Sequence, residues 1–249
     1  MEWWHAVAIA LAGLWAGTIN TVVGSGTLVT FPVLVALGYP PLVATTSNAV
    51  GLTPGTIAGA FGYRSELEGQ RARLVRYGAA SVLGAIGGTV LLLSLPPDAF
   101  ETIVPILVLL AIALVAMQPL LTRRLRERAV PRESSPLLYF LVFLIAVYGG
   151  YFTAAQGIML VAAMGLLVAD SLQRLNAFKN VLAAVVNLVA GAIYAVIAPV
   201  DWTVIAILAV SSTVGGLLGA RIGRKLSPVV LRGVIVVVGI ATVVILILE

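Results

Sequence analysis

Two short glycine-bearing segments carry side chains able to hold an anion: Asn20 with Gly24-Ser25-Gly26-Thr27, and Thr153 with Gln156-Gly157. Glycine lets a helix stop, frees amide N–H groups, and allows a new half-helix to begin with its positive end towards a ligand. The Ser25 and Thr27 hydroxyls add donors, and Asn20 can complete the pocket from the preceding helix. Thr45-Thr46-Ser47-Asn48 opens the next helix with more polar residues than capping requires, so Thr46 and Asn48 are expected to line a cavity beside the first break. The counterpart, Asn176-Ala177-Phe178-Lys179-Asn180, carries a cation where the first copy has Ser47. Lys179 is expected either to touch substrate, with Asn180 beside it, or to orient the chain. Arg174 lies four residues after Asp170 and is expected to pair with it, while Asn187 is expected to be buried and to bond a neighbouring backbone.

The elements that must position these residues are membrane helices. Apolar residues make up 61% of the 249 and charged residues 10%, and mean hydropathy is +1.11, outside the range of soluble domains. No fully charged residue lies between Trp3 and Tyr63, a run too long for two spans and a short turn. Half-helices over Trp3 to Val23 and Thr27 to Leu37, turned by Gly38-Tyr39-Pro40-Pro41, account for the excess. Ser134 to Ala169 is likewise too long for one span and too short for two, so a second broken pair is expected, with its break near Ala155-Gln156-Gly157 and its return helix ending by Asp170. In a bilayer such breaks are tolerated only where they are buried in protein or line a cavity.

All fifteen Lys and Arg fall between apolar segments, as orientation signals in cytoplasmic loops do, and not as a nucleic-acid surface. Loops around residues 64 to 76, 122 to 133 and 221 to 232 are expected inside, and those near Pro97 and Asp201 outside. Full spans in place of the broken pairs would put the Arg221 to Arg232 group outside, against this rule. Landmarks recur at a spacing of 131: Gly26 and Gly157, Gly84 and Gly215, Gly88 and Gly219, Pro97 and Pro228. The expected fold is an all-α integral membrane protein of two inverted-topology repeats, each a re-entrant or broken helix pair followed by three transmembrane helices. Repeat 1 covers about 3–122, a cytoplasmic linker about 123–134 and repeat 2 about 135–249, forming one membrane domain with both termini outside. The opening Met1 to His5 lacks a basic n-region, so the first apolar segment is expected to stay in the protein.

The absence of cysteine removes thiolate metal sites and cysteine nucleophiles, and no cofactor or metal is expected. The only histidine, His5, sits at the margin, and all ten Asp and Glu lie at segment ends or in loops. An intramembrane enzyme therefore lacks a nucleophile with its base, and a carboxylate proton relay at mid-membrane is disfavoured. No Walker A loop is present. A passive anion channel stays open as the alternative to a transporter, and exposed Gly and Ala faces permit a homo-oligomer.

Gly17-Thr18-Ile19-Asn20-Thr21-Val22-Val23-Gly24-Ser25-Gly26-Thr27-Leu28, then Phe31-Pro32-Val33-Leu34 and Ala44-Thr45-Thr46-Ser47-Asn48, resembles the first half of the sulfite exporter TauE/SafE family of bacterial membrane permeases. Gly149-Gly150-Tyr151-Phe152, Ala177-Phe178-Lys179-Asn180 and Val200-Asp201-Trp202 resemble its second half. The resemblance implies a permease in the bacterial inner membrane that moves sulfite or an organosulfonate. The sequence departs from the family pattern at Ala155-Gln156-Gly157, where a richer glycine run is usual.

Overall fold

The computed structural model describes residues 2–128, 136–168, 170–222, 233, 235–237 and 240. Among them the regular elements are all helical: α1 (Trp3–Val22), α2 (Thr27–Ala36), α3 (Pro41–Gly62), one 3-10 turn (Arg64–Leu67), α4 (Arg71–Ser94), α5 (Pro97–Arg128), α6 (Pro136–Phe152), α7 (Gln156–Leu167), α8 (Leu172–Ile197) and α9 (Trp202–Ile222). Five of these, α1, α4, α5, α8 and α9, contain stretches long and apolar enough to cross a membrane, whereas α2, α6 and α7 are short apolar helices. Helix α3 has the length of a span, 22 residues, yet buries Thr45, Thr46, Ser47, Asn48, Thr53 and Thr56. Helices α1, α8 and α9 pack against it and cover those polar groups, while Ile57 and Phe61 on the same helix stay exposed.

Polarity is distributed inside out relative to a soluble protein. Ser25, Thr30, Asn48, Lys179, Asn180 and Asn187 are buried, while Trp3, Leu11, Phe61, Val75 and Phe140 are exposed. Exposed apolar side chains are solvated by lipid tails; buried polar ones must find partners within the protein.

Helix ends follow local chemistry. Pro41 occupies the first turn of α3, where its missing N–H costs nothing and its fixed φ suits a helix start. The Ser171 hydroxyl accepts from Arg174 N–H at 3.2 Å at the start of α8. The Asp201 carboxylate accepts from Thr203 and Val204 N–H at 2.8 and 3.0 Å at the start of α9, which satisfies two of the donors a helix start leaves unmet.

Small residues let helices touch backbone to backbone. On α1, Gly13 meets Leu208 and Ser211, and Gly17 meets Ser212 and Gly216; on α3, Gly51 meets Leu208, Gly55 meets Ser212, and Gly62 meets Ala220. Contacts rise together in number, so α1 and α3 both run parallel to α9. Gly84 meets Phe143 and Ala146, and Gly88 meets Val147 and Tyr151, so α4 and α6 are also parallel. Helices α3 and α8 are antiparallel: Thr53 donates to the Asn187 carbonyl at 3.0 Å, and Gly191 lies against Val50 and Ala49.

Polar clusters mark the two ends of α3, about 33 Å apart at 1.5 Å per residue. At its start, Thr46 Oγ1 donates to the Pro199 carbonyl at 2.6 Å, and Ser47 Oγ accepts from Asp201 N–H at 2.8 Å. Beyond its end, Arg174 donates to the Glu66 and Glu68 carbonyls and pairs with Asp170 at 3.6 Å, while Arg73 pairs with the same carboxylate at 3.1 Å. The expected Asp170 and Arg174 pair thus forms, with a second arginine joined to it. Pro228, the cations Arg132, Arg224, Lys225 and Arg232, and most of the expected last span, 233–248, lie outside the described residues.

Candidate functional site

At the first break, helix α1 ends at Val22 and Gly24 turns left-handed, with φ +94°. Asn20 Oδ1 reaches across the break and accepts from Gly26 N–H at 3.1 Å. The side chain expected to close the pocket thus satisfies a free amide just ahead of α2.

The second break reaches the same kind of turn without glycine. Thr153 and Ala155 have φ of 59° and 56°, a region costing an L-residue about 1–2 kcal/mol and unusual for a β-branched side chain. Ala155 stands 131 positions after Gly24. Surrounding packing therefore enforces at the second break what glycine permits at the first.

The two breaks meet. Gly157 N–H donates to the Gly24 carbonyl at 3.2 Å, and a Cβ built on either glycine would stand 2.6 Å from the other's Cα. A chain of side chains crosses beside this contact: Thr27 and Thr153 share a hydrogen bond of 2.9 Å, Asn48 Nδ2 donates to Thr27 Oγ1 at 3.2 Å, and Thr30 donates to Asn48 Oδ1. Helices α2 and α7 both begin here, so two partial positive helix ends converge.

Lys179, fully buried, donates from Nζ to the Asn20 and Thr21 carbonyls at 3.0 and 2.9 Å. Asn180 Nδ2 donates to the Thr21 carbonyl at 3.3 Å. These carbonyls belong to the last turn of α1, which has no following helical turn to satisfy them and carries the negative end of the dipole. The ammonium thus serves as a C-terminal cap supplied from another helix.

Two buried polar atoms at the breaks, Ser25 Oγ and Gln156 Oε1, have no hydrogen-bond partner among the described residues. Leaving such groups unmet costs about 1–3 kcal/mol each. Of the residues singled out from the sequence, Asn20, Gly24, Ser25, Gly26, Thr27, Asn48, Thr153, Gln156, Gly157, Lys179 and Asn180 gather around the junction. Thr46 does not; its hydroxyl bonds the Pro199 turn and the α3 carbonyls of Leu42 and Val43.

Thr56 was not expected from the sequence, and Asn187 is buried as expected but its amide donates to a side chain instead of a neighbouring backbone. Thr56 Oγ1 accepts from Asn187 Nδ2 at 3.0 Å and from Asn20 Nδ2 at 3.5 Å, which joins α1, α3 and α8 below the break. The signal available was the spacing of Thr53 and Thr56, three apart on one face of α3. Among the described residues no cluster of His, Asp or Glu could hold a metal ion.

Residues 9–246 match the model of the sulfite exporter TauE/SafE family. The chain belongs to that family. It is therefore a multi-pass membrane protein of a permease family, as its apolar helices also indicate. Among curated proteins it is similar to a probable membrane transporter protein of Haemophilus influenzae, with 25% identity over 228 residues, 90% of this chain and 88% of that one. It is also 25% identical to the probable membrane transporter protein YfcA of Escherichia coli K12, over 90% of this chain and 82% of the relative. A third relative, the probable membrane transporter protein ORF9 of a Sinorhizobium species, is 24% identical over 95% of this chain and 90% of its own length. No solved structure matches it significantly.

Proposed function

We propose that this TauE/SafE protein is a secondary transporter that carries a small oxyanion, sulfite or an organosulfonate, across a bacterial inner membrane. The two halves act as inverted-topology repeats within one membrane domain, and alternating access moves them about a site where their breaks meet. One observation carries this reading: two helix N-termini converge at the Gly24 and Gly157 contact beside Ser25 Oγ and Gln156 Oε1, buried atoms without hydrogen-bond partners among the described residues. An oxyanion would supply the acceptor for Ser25 Oγ, and rotation of the Gln156 amide would offer its N–H₂ group.

Helix directions support the repeat. Because α1 and α3 both run parallel to α9, α2 has to bring the chain back, as a re-entrant hairpin does. Exchanging α1 with α6 and α9 with α4 turns the α1 and α9 pair into the α6 and α4 pair, both of which pack extensively and in parallel. Arg64, Arg71, Arg73, Arg76 and Arg174 at one end of α3 favour the cytoplasm for that end by the positive-inside rule, which would put the N-terminus outside.

Sulfite, isethionate and sulfoacetate uptake into liposomes holding the purified protein tests the function. Saturable uptake is expected, and Ser25→Ala should raise the half-saturating concentration about tenfold, the equivalent of one hydrogen bond of about 1.4 kcal/mol. Absence of uptake for every anion and gradient would reject the reading. Non-saturating current would replace it with a channel.

A further inference from the structure

We propose a second oxyanion site at the basic end of the molecule, built on one face of α4 and separate from the paired breaks. Arg73, Arg76 and Tyr77 stand at i, i+3 and i+4 on α4, so their side chains share a face. With Arg174, Asp170, Tyr139 and the 68–70 turn they line a cavity of about 420 Å³. Its lining includes three arginines, Arg73, Arg76 and Arg174, against two acidic residues, Glu68 and Asp170. Arg73 and Arg174 both lean on the single Asp170 carboxylate, which leaves the lining with an excess of positive charge.

The observation that points to a ligand is Tyr77. Its side chain is 1% exposed, yet its hydroxyl has no partner among the described residues. Tyr139 packs against its ring at 4.8 Å, which fixes the ring beside the cavity. Arg73 is equally fixed: it donates to Gln70 Oε1 at 2.8 Å and lies over the Phe178 ring at 5.4 Å. The Tyr77 phenol, the fixed guanidiniums of Arg73 and Arg174 and the neighbouring Arg76 form the donor set that a tetrahedral oxyanion accepts from. The ligand class is a phosphate-type oxyanion, either free in the cytoplasm or as the head group of an anionic lipid.

Calorimetric titration of the full-length protein in neutral maltoside detergent tests the site, with inorganic phosphate in one arm and short-chain phosphatidylglycerol in the other, against phosphatidylcholine. Saturable 1:1 binding in either anionic arm is expected, and the arm that saturates identifies the source. Tyr77→Phe and Arg76→Gln should each weaken it about fivefold to tenfold, an effect of about one hydrogen bond. Both should keep the wild-type elution profile and saturable sulfite uptake in phosphatidylcholine liposomes. No binding in either anionic arm, or binding unchanged in both variants, overturns the site. Binding by a protein that moves no anion would overturn the transport reading alone.

Discussion

Gly157 N–H donates to the Gly24 carbonyl at 3.2 Å, and a Cβ on either glycine would clash with the other's Cα at 2.6 Å. Two positions 133 residues apart in the chain are thereby locked through backbone alone. Gly24→Ala adds a left-handed penalty to this clash, whereas Gly157→Ala adds the clash only. Both should lower the thermal midpoint of the purified protein, Gly24→Ala by the larger amount, with a loss on the order of 2–3 kcal/mol for the combined strain and overpacking. Wild-type midpoints for both would mean that the breaks separate easily.

Lys179→Met removes the ammonium but keeps most of the stem. If Nζ serves α1 as a cap, the Asn20 carbonyl loses the Lys179 bond, the Thr21 carbonyl keeps only its bond from Asn180, and stability should fall by about 2 kcal/mol or more. Chemical denaturation in detergent would read this. Retained stability with lost anion affinity would show that the ammonium works on the substrate instead.

Ala155→Gly relieves a left-handed residue at the second break. An increase in stability of about 1 kcal/mol is expected, visible as a higher thermal midpoint. A decrease would mean that the freedom gained in the unfolded chain exceeds the strain removed.

Thr27→Val deletes the hydroxyl that Thr153 and Asn48 both use, at nearly constant volume. The orphaned Asn48 amide should cost about 1–2 kcal/mol, and Thr27→Ser should restore most of it. Equal behaviour of the two variants would argue that the chain of side chains across the junction is slack.

Much of the scaffold was legible because a bilayer limits what a sequence can do. Uncharged runs of the wrong length located both broken pairs, and the helix ends at Val22 and Ala36 fall within a residue of those expected. The first break was legible because Gly24-Ser25-Gly26 states its own conformation. The second was harder to read, since Thr153 and Ala155 adopt glycine-like angles under packing from elsewhere. The partner of Lys179 could not be read either: no periodicity within α8 indicates that its ammonium will meet carbonyls on α1. Arg174 and Asp170, four apart, needed no such knowledge.

The C-terminal cap of α1 has a consequence for how the protein is made. Lys179 follows Asn20 and Thr21 by 159 and 158 residues, and α9, against which α1 packs, is later still. During synthesis α1 enters the membrane with its last carbonyls unmet and its glycine face uncovered. It must wait for the second half to emerge before it is complete. A first half expressed alone should therefore be a substrate for membrane quality control, and its co-expression with the second half should rescue both.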